Sequence, residues 1–267
     1  MKRGIFSDEL SPAPGQACEM AALHGVHWLE FRMWYAQRAP QGMRQADMDA
    51  VRAGADSWGL RFSSVSPGLL KILPDAPERP SHTGDLLDKS LDLADTLGAK
   101  ILVTFTPIVP EDQRGQWDEW LVDELRTMGE RAGARGITVV VENEPVCVGS
   151  SSPLVAQLVQ TVGHPAVRMN WDPGNDASSG QSTGPEAWPL VAPVLGHVHV
   201  KDYYQGKPQV ADLGEGYSDW RWILAKLKEV DYQGFLILEP HNVPLLVSAM
   251  RAIMVLRKRL AEAGVEW

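Results

Sequence analysis

A single (β/α)8 barrel, an α/β fold of the TIM type spanning residues 1–267, is the fold class this sequence predicts. Three observations predict it. Short β-rich apolar runs recur eight times, about 33 residues apart. Each is followed by a stretch with helical periodicity, and the units fill the chain without a linker, low-complexity tract or second domain. A length of 267 residues at 44% hydrophobic supplies the core such a barrel needs.

The expected strands are Arg3 to Phe6, His27 to Arg32, Leu60 to Ser66, Lys100 to Thr106, Ile137 to Glu142, Ala166 to Asp172, Gly196 to Lys201 and Gly234 to Glu239. Glycines close the preceding helices at Gly25, Gly59, Gly98, Gly136, Gly163 and Gly234. Between the strands, Leu87, Leu91 and Ala94 form one apolar helix stripe. Trp117, Trp120, Leu121, Leu125, Met128 and Ala132 form another. These Trp and Met residues read as packing against the barrel and carry no function. A doubly wound open sheet would place a glycine-rich turn after the first strand, and Ser7-Asp8-Glu9-Leu10-Ser11-Pro12 is nothing like one. The β-rich runs and the lack of repeated consensus letters argue against a helical repeat array.

With 25 basic and 34 acidic side chains the net charge is −9, and no basic run offsets it. Nucleic-acid binding depends on Lys and Arg displacing counterions, so nucleic acid is an unsuitable partner; a single charged pocket for a small anion is not excluded. Cys18 and Cys147 stand far apart and suggest neither a disulfide framework nor a zinc motif, which fits a reducing cytoplasm. After Met1-Lys2-Arg3 only Gly4-Ile5-Phe6 is apolar, too short for a signal-peptide core. No segment reaches the roughly 20 apolar residues of a membrane span. The expectation is a cytoplasmic protein with no membrane partner.

In a barrel of this kind catalytic groups sit at the carboxyl ends of the strands. The fifth strand ends Val141-Glu142-Asn143-Glu144 and the sixth Asn170-Trp171-Asp172-Pro173-Gly174-Asn175. The seventh reads His197-Val198-His199-Val200-Lys201-Asp202 and the eighth Leu238-Glu239-Pro240-His241. A lone carboxylate just past a strand is more often a helix cap or a turn residue. Three carboxylates and an imidazole from four consecutive strands converge on one point and make a divalent-metal site of Glu142, Asp172, His199 and Glu239. An acidic group after five apolar residues, as at Glu239, is costly to bury unless metal or hydrogen bonds stabilise it. His197 and His199 share one face because strand side chains alternate. His199 lies nearer the carboxyl end and is the expected ligand, while His197 is a core histidine or an orienting partner. His24, His27, His82, His164 and His241 are expected to be non-catalytic, with His241 close enough to line the mouth.

These residues carry a resemblance. The chain resembles the xylose isomerase-like barrel superfamily, in particular the sugar-phosphate isomerase/epimerase group with its hydroxypyruvate isomerases, ketose 3-epimerases and inosose dehydratases. The matching pieces are Val141-Glu142-Asn143, Asp172-Pro173-Gly174-Asn175, His197-Val198-His199-Val200-Lys201-Asp202, Leu213-Gly214-Glu215-Gly216-Tyr217-Ser218-Asp219-Trp220 and Leu238-Glu239-Pro240, with Leu29-Glu30-Phe31-Arg32 a weaker match. The resemblance implies that Glu142, Asp172, His199 and Glu239 bind one divalent cation. It also implies that Glu142 and Glu239 move protons next to a substrate carbonyl, through an enediolate that the metal stabilises. An oxygen-rich donor set with one imidazole ranks Mn²⁺ first and admits Mg²⁺, Co²⁺ or Zn²⁺. Lys201, Arg32, Glu30, Asn175 and Glu144 are the expected contacts to a small sugar or sugar phosphate. A salt bridge at the barrel rim is the ordinary alternative for Lys201, Arg32, Glu30 and Glu144.

One departure matters for substrate. Ketose epimerases of the group commonly carry a histidine three residues after the aspartate of the sixth strand, and this chain has Asn175 there. A metal-dependent dehydratase of inosose or dehydroshikimate type shares the first step and is the main alternative. An apurinic endonuclease would need further histidines at the ends of the third and fourth strands, which read Ser64-Val65-Ser66 and Thr104-Phe105-Thr106. Retention of all four ligand positions argues against a non-catalytic binding barrel. Asp202 either belongs to the site pattern or caps the following loop. That loop, Tyr203 to Tyr217, is a candidate lid. A homodimer suits a barrel of this size, although no particular interface is visible in the sequence.

Overall fold

Eight parallel strands close into a barrel in the computed structural model, which describes all 267 residues. They are β1 (Lys2–Phe6), β2 (Trp28–Phe31), β3 (Arg61–Leu69), β4 (Ile101–Thr104), β5 (Thr138–Glu142), β6 (Val167–Trp171), β7 (Leu195–Val200) and β8 (Phe235–Leu238). Each pairs with its neighbour in sequence, and β8 closes on β1 with Lys2 opposite Phe235 and Ile5 opposite Leu238. The principal helices are α1 (Pro14–Leu23), α2 (Gln45–Ser57), α3 (Asp85–Leu97), α4 (Glu119–Gly133), α5 (Ser152–Val162), α6 (Pro173–Ser178), α7 (Trp220–Glu229) and α8 (Leu245–Glu262). No helix is long and apolar enough to cross a membrane.

Alternation along the strands separates two environments. Leu29, Val139, Val141, Met169, Val198, Val200 and Leu236 pack with Leu87, Leu91, Leu125 and Leu256 of the helices into the main core. Inside the barrel, Phe6, Ile101, Val103, Val140, Phe235 and Ile237 form a small separate apolar cluster. Toward the carboxyl ends the buried side chains include Glu30, Glu142, Asn170, Asp172, His197, His199, Lys201 and Glu239, so chemistry occupies one end of the lumen.

The expected strands all form, with ends shifted by a residue or two except in β3. That strand runs on to Leu69 because Leu69 pairs with Thr104 across a register shift. Five of the six helix-closing glycines, Gly25, Gly59, Gly98, Gly136 and Gly163, have left-handed φ between 63° and 71°. Gly234 does not. The left-handed residue after α7 is Asp231 at 51°, while Gly234 passes against the Tyr232 ring, where a Cβ would lie 2.3 Å from it. In the α4 stripe Leu121, Leu125, Met128 and Ala132 are buried, but Trp117 precedes the helix because Asp118 is extended at its start. Two short ribbons were not expected: Met33–Trp34 with Gln37–Arg38 after β2, and Asp202–Tyr203 with Val210–Ala211 after β7. Two-residue strands carry no periodicity from which to read them.

Candidate active site

Glu142 ends β5, Asp172 follows β6, His199 lies near the end of β7 and Glu239 follows β8. One donor atom from each lies within 4.8 Å of the other three, and all four residues are buried. His199 Nε2 is 3.2 Å from Glu30 Oε1, and its Nδ1 is 3.2 Å from Glu142 Oε2 and 3.6 Å from Glu239 Oε2. The Asn170 amide nitrogen lies 3.0 Å from the same Nδ1. Glu142 and Glu30 outweigh burial and raise the His199 pKa well above the usual imidazole range; once Nδ1 loses its proton, the proton kept on Nε2 and donated to Glu30 leaves the Nδ1 lone pair facing the carboxylates. Asp172 divides its oxygens between two tasks. Oδ1 accepts the Asn175 backbone N–H at 3.0 Å and caps α6, while Oδ2 has no aligned hydrogen bond, although Lys201 Nζ is 2.8 Å away. Cap and ligand are thus compatible for one residue. Three carboxylates and one ring nitrogen aimed at a shared point fit a divalent cation.

Burial raises the Asp172 pKa to about 7, with Glu142 and Glu239 adding to the rise and Lys201 opposing it. At Glu239 burial also works against the charge, but Lys201, His241 and Arg32 outweigh it and hold the carboxyl well below the usual range. Burial alone would lower the Lys201 pKa, and the surrounding carboxylates drive it well above the ordinary lysine value. Lys201 Nζ lies 2.8 Å from Asp172 and 3.0 Å from Glu239. Arg32 binds Glu239 and Asp8, the latter at 2.7 Å, and reaches Glu9 at 3.3 Å.

Glu30 is fully buried and lies outside the cavity wall, so the expected hydroxyl contact is not what the structure brings about. Instead it accepts from Ser64, and its oxygens are 2.9 Å from His197 Nε2 and 3.2 Å from His199 Nε2. Burial penalises this carboxylate, yet the two imidazoles lower its pKa to about 2. Glu30 and His197 together fix the His199 ring. Replacing Glu30 with Gln is expected to weaken metal binding about 10–100-fold, measured by titration of Mn²⁺ into chelator-stripped protein. Unchanged affinity would remove this orienting role.

Arg32, Lys201, Asn175 and Glu144 do line a cavity of ≈ 340 Å³ over the cluster, together with Tyr203 and His241. Asn175 Nδ2 donates to Glu142 Oε1 at 3.2 Å, and Glu144 is paired at the rim with Lys71 at 2.6 Å. His241, expected at the mouth, sits 2.7 Å from Glu9 and 3.1 Å from Glu239, and these partners overcome burial to raise its pKa to about 9. Asp202 organises its loop by accepting backbone N–H groups of Gly214, Gly216 and Ser218 at 3.1–3.2 Å. Its role as a loop anchor explains the spacing of Leu213 to Ser218.

Sequence reasoning missed several groups. Asn143 latches Asp172 in place by accepting its N–H and donating to its C=O, each at 2.9 Å. Asp176 accepts from Ser152 and from Asn143 behind the site. The period-two face of β6 could have revealed Asn170 two residues before Asp172, but no pattern pointed to Asp8, Glu9 or Arg38.

Known structures share this barrel. D-allulose 3-epimerase from Methylomonas sp. superposes with a TM-score of 0.78 at 16% identity, covering 97% of this chain and 98% of that one. The probable 3-DHS dehydratase AsbF from Bacillus anthracis gives 0.75 at 16%, covering 96% and 99%. A xylose isomerase-like TIM barrel protein from Mycobacterium smegmatis, solved in complex with magnesium, gives 0.76 at 19%, covering 93% and 88%. At such identities the likeness is one of fold. No curated protein matches the sequence. The family model of the xylose isomerase-like TIM barrel matches residues 18–267, and the chain belongs to that family.

Proposed function

We propose that the protein is a divalent-metal-dependent isomerase or epimerase of a small sugar or sugar phosphate, acting by proton transfer next to a carbonyl. The observation that carries this reading is that Glu142 and Glu239 both approach His199 Nδ1, at 3.2 and 3.6 Å, within one buried four-residue donor set. Glu142, Asp172, His199 and Glu239 would hold the ion, with Mn²⁺ first and Mg²⁺, Co²⁺ or Zn²⁺ as alternatives. When bound, the ion polarises the substrate carbonyl and stabilises charge developing on its oxygen. Glu142 and Glu239 come from strands three apart in the closed order; in this reading one removes a proton and the other returns it. Asn175, Lys201 and Arg32 hold these carboxylates and offer donors to substrate oxygens. The enzyme is read as one cytoplasmic domain with a small-molecule partner and without nucleic-acid or membrane partners.

A dehydratase is the second reading, favoured by the Lys201 ammonium 3.0 Å from Glu239, where a donor could protonate a departing hydroxyl. Metal analysis of protein purified without chelator, with deuterium uptake into a panel of ketoses and their phosphates, tests both. The expected result is about one metal per chain and uptake that stops with chelator and returns with Mn²⁺. Loss of water in place of exchange would move the assignment to the dehydratase. No metal and no reaction would overturn both.

A further inference from the structure

Five cationic side chains line the cavity over the cluster: Arg32, Arg38, Lys71, Lys201 and His241. Four of them are paired with carboxylates, namely Arg32 with Asp8, Glu9 and Glu239, Lys201 with Asp172 and Glu239, His241 with Glu9 and Glu239, and Lys71 with Glu144. Arg38 has no carboxylate partner. Its single hydrogen bond runs from Nη1 to the Ser66 carbonyl at 3.3 Å, leaving Nε and Nη2 without an acceptor. The short ribbon Met33–Trp34 with Gln37–Arg38 carries it over the mouth, and its side chain lies across Gly68 of β3. A Cβ at Gly68 would come 3.5 Å from Arg38 Nε.

A guanidinium offers a planar fork that matches a carboxylate or a phosphate oxygen for oxygen. Neither Nε nor Nη2 is sealed from solvent, so an incoming anion meets a fork that no carboxylate already holds. Burial and the positive charge of Arg32 lower the Arg38 pKa, while Asp8, Glu239 and Glu142 oppose that without meeting the guanidinium in an ion pair.

We propose that Arg38 is the specificity-determining residue for an anionic group of the substrate, a carboxylate or a phosphate, bound at the cavity mouth while the rest of the molecule reaches Glu142 and Glu239. The inference rests on the reading of this cavity as the substrate site. A neutral ketose fills the same space without using the fork.

Calorimetric titration of Mn²⁺-loaded protein with D-fructose, 2-keto-D-gluconate and D-fructose 6-phosphate tests it, on the wild type, Arg38→Gln and Arg38→Lys. At least one anionic probe is expected to bind more tightly than D-fructose. Arg38→Gln is expected to weaken that probe about 10–100-fold, Arg38→Lys less, and D-fructose by less than about threefold. The probe that responds identifies carboxylate or phosphate. Failure of both anionic probes to bind better than D-fructose, or an equal loss for neutral and anionic probes, overturns the proposal; Arg38→Lys, which keeps the charge, guards against a general folding defect. Deuterium exchange on the same samples separates the two readings. Arg38-dependent anion binding without exchange sustains this inference and removes proton transfer, whereas exchange on neutral ketoses untouched by Arg38→Gln, with no anion preference, does the reverse.

Discussion

Glu142→Gln and Glu239→Gln are each expected to reduce deuterium exchange into the responsive ketose by about 10²–10⁴-fold, the range for removing a positioned acid or base. The amide keeps the shape and one oxygen donor, so metal analysis of each variant distinguishes a lost ion from a lost proton carrier. The two variants should differ in stability. Glu142 is surrounded by the Asn170 and Asn175 amides and His199, all of which tolerate a neutral partner. Glu239 is held by three cations, Arg32, Lys201 and His241, and neutralising it takes one charged partner from each. Glu239→Gln should therefore cost about 2 kcal/mol more, a melting temperature lower by roughly 4–8 °C. Exchange at the wild-type rate in either variant would exclude that glutamate from the proton path.

Asp172→Asn is expected to weaken Mn²⁺ binding at least about 100-fold at pH 8, because it removes a full ligand charge from the site. The pH profile gives a separate readout. In the wild type protons on Asp172, whose pKa is raised to about 7, and on His199, whose pKa Glu142 and Glu30 raise well above the usual imidazole value, compete with the ion. Only the ionised carboxylate is a ligand, so affinity should fall as pH drops below about 7, approaching tenfold per unit. Asp172→Asn should make that limb shallower, leaving the part due to His199. Titrations of stripped protein at pH 6, 7 and 8 measure both effects, and an equally steep profile in the variant would place the competing proton elsewhere.

The barrel was legible because eight β-rich runs and the helices between them obey two distinct periodicities, and the four donors because each stands at or near the end of its run. What escaped the sequence depends on closure of the ring. Glu30 is close to His197 and His199 only once β2 comes round to face β7, so its place beneath the imidazoles has no signature in linear spacing. Asp8 and Glu9 reach Arg32 from the first βα turn, which reads as an ordinary polar loop. Arg38 was hidden for a different reason: its ribbon is two residues deep and follows no repeat. Asn143 and Asp202 stood within the matched motifs, but only the hydrogen bonds reveal that they hold backbone in position.

The alternation of β7 separates inheritance of the scaffold from inheritance of the reaction. His197, His199 and Lys201 point one way and Val198 and Val200 the other, into the helix layer. Substitutions in the first set leave the seam with the helices intact, and those in the second leave the donor set unaltered. A lineage can therefore rewrite its substrate one alternate letter at a time without refounding its architecture, which is how one barrel shape comes to outlast many vocabularies of chemistry.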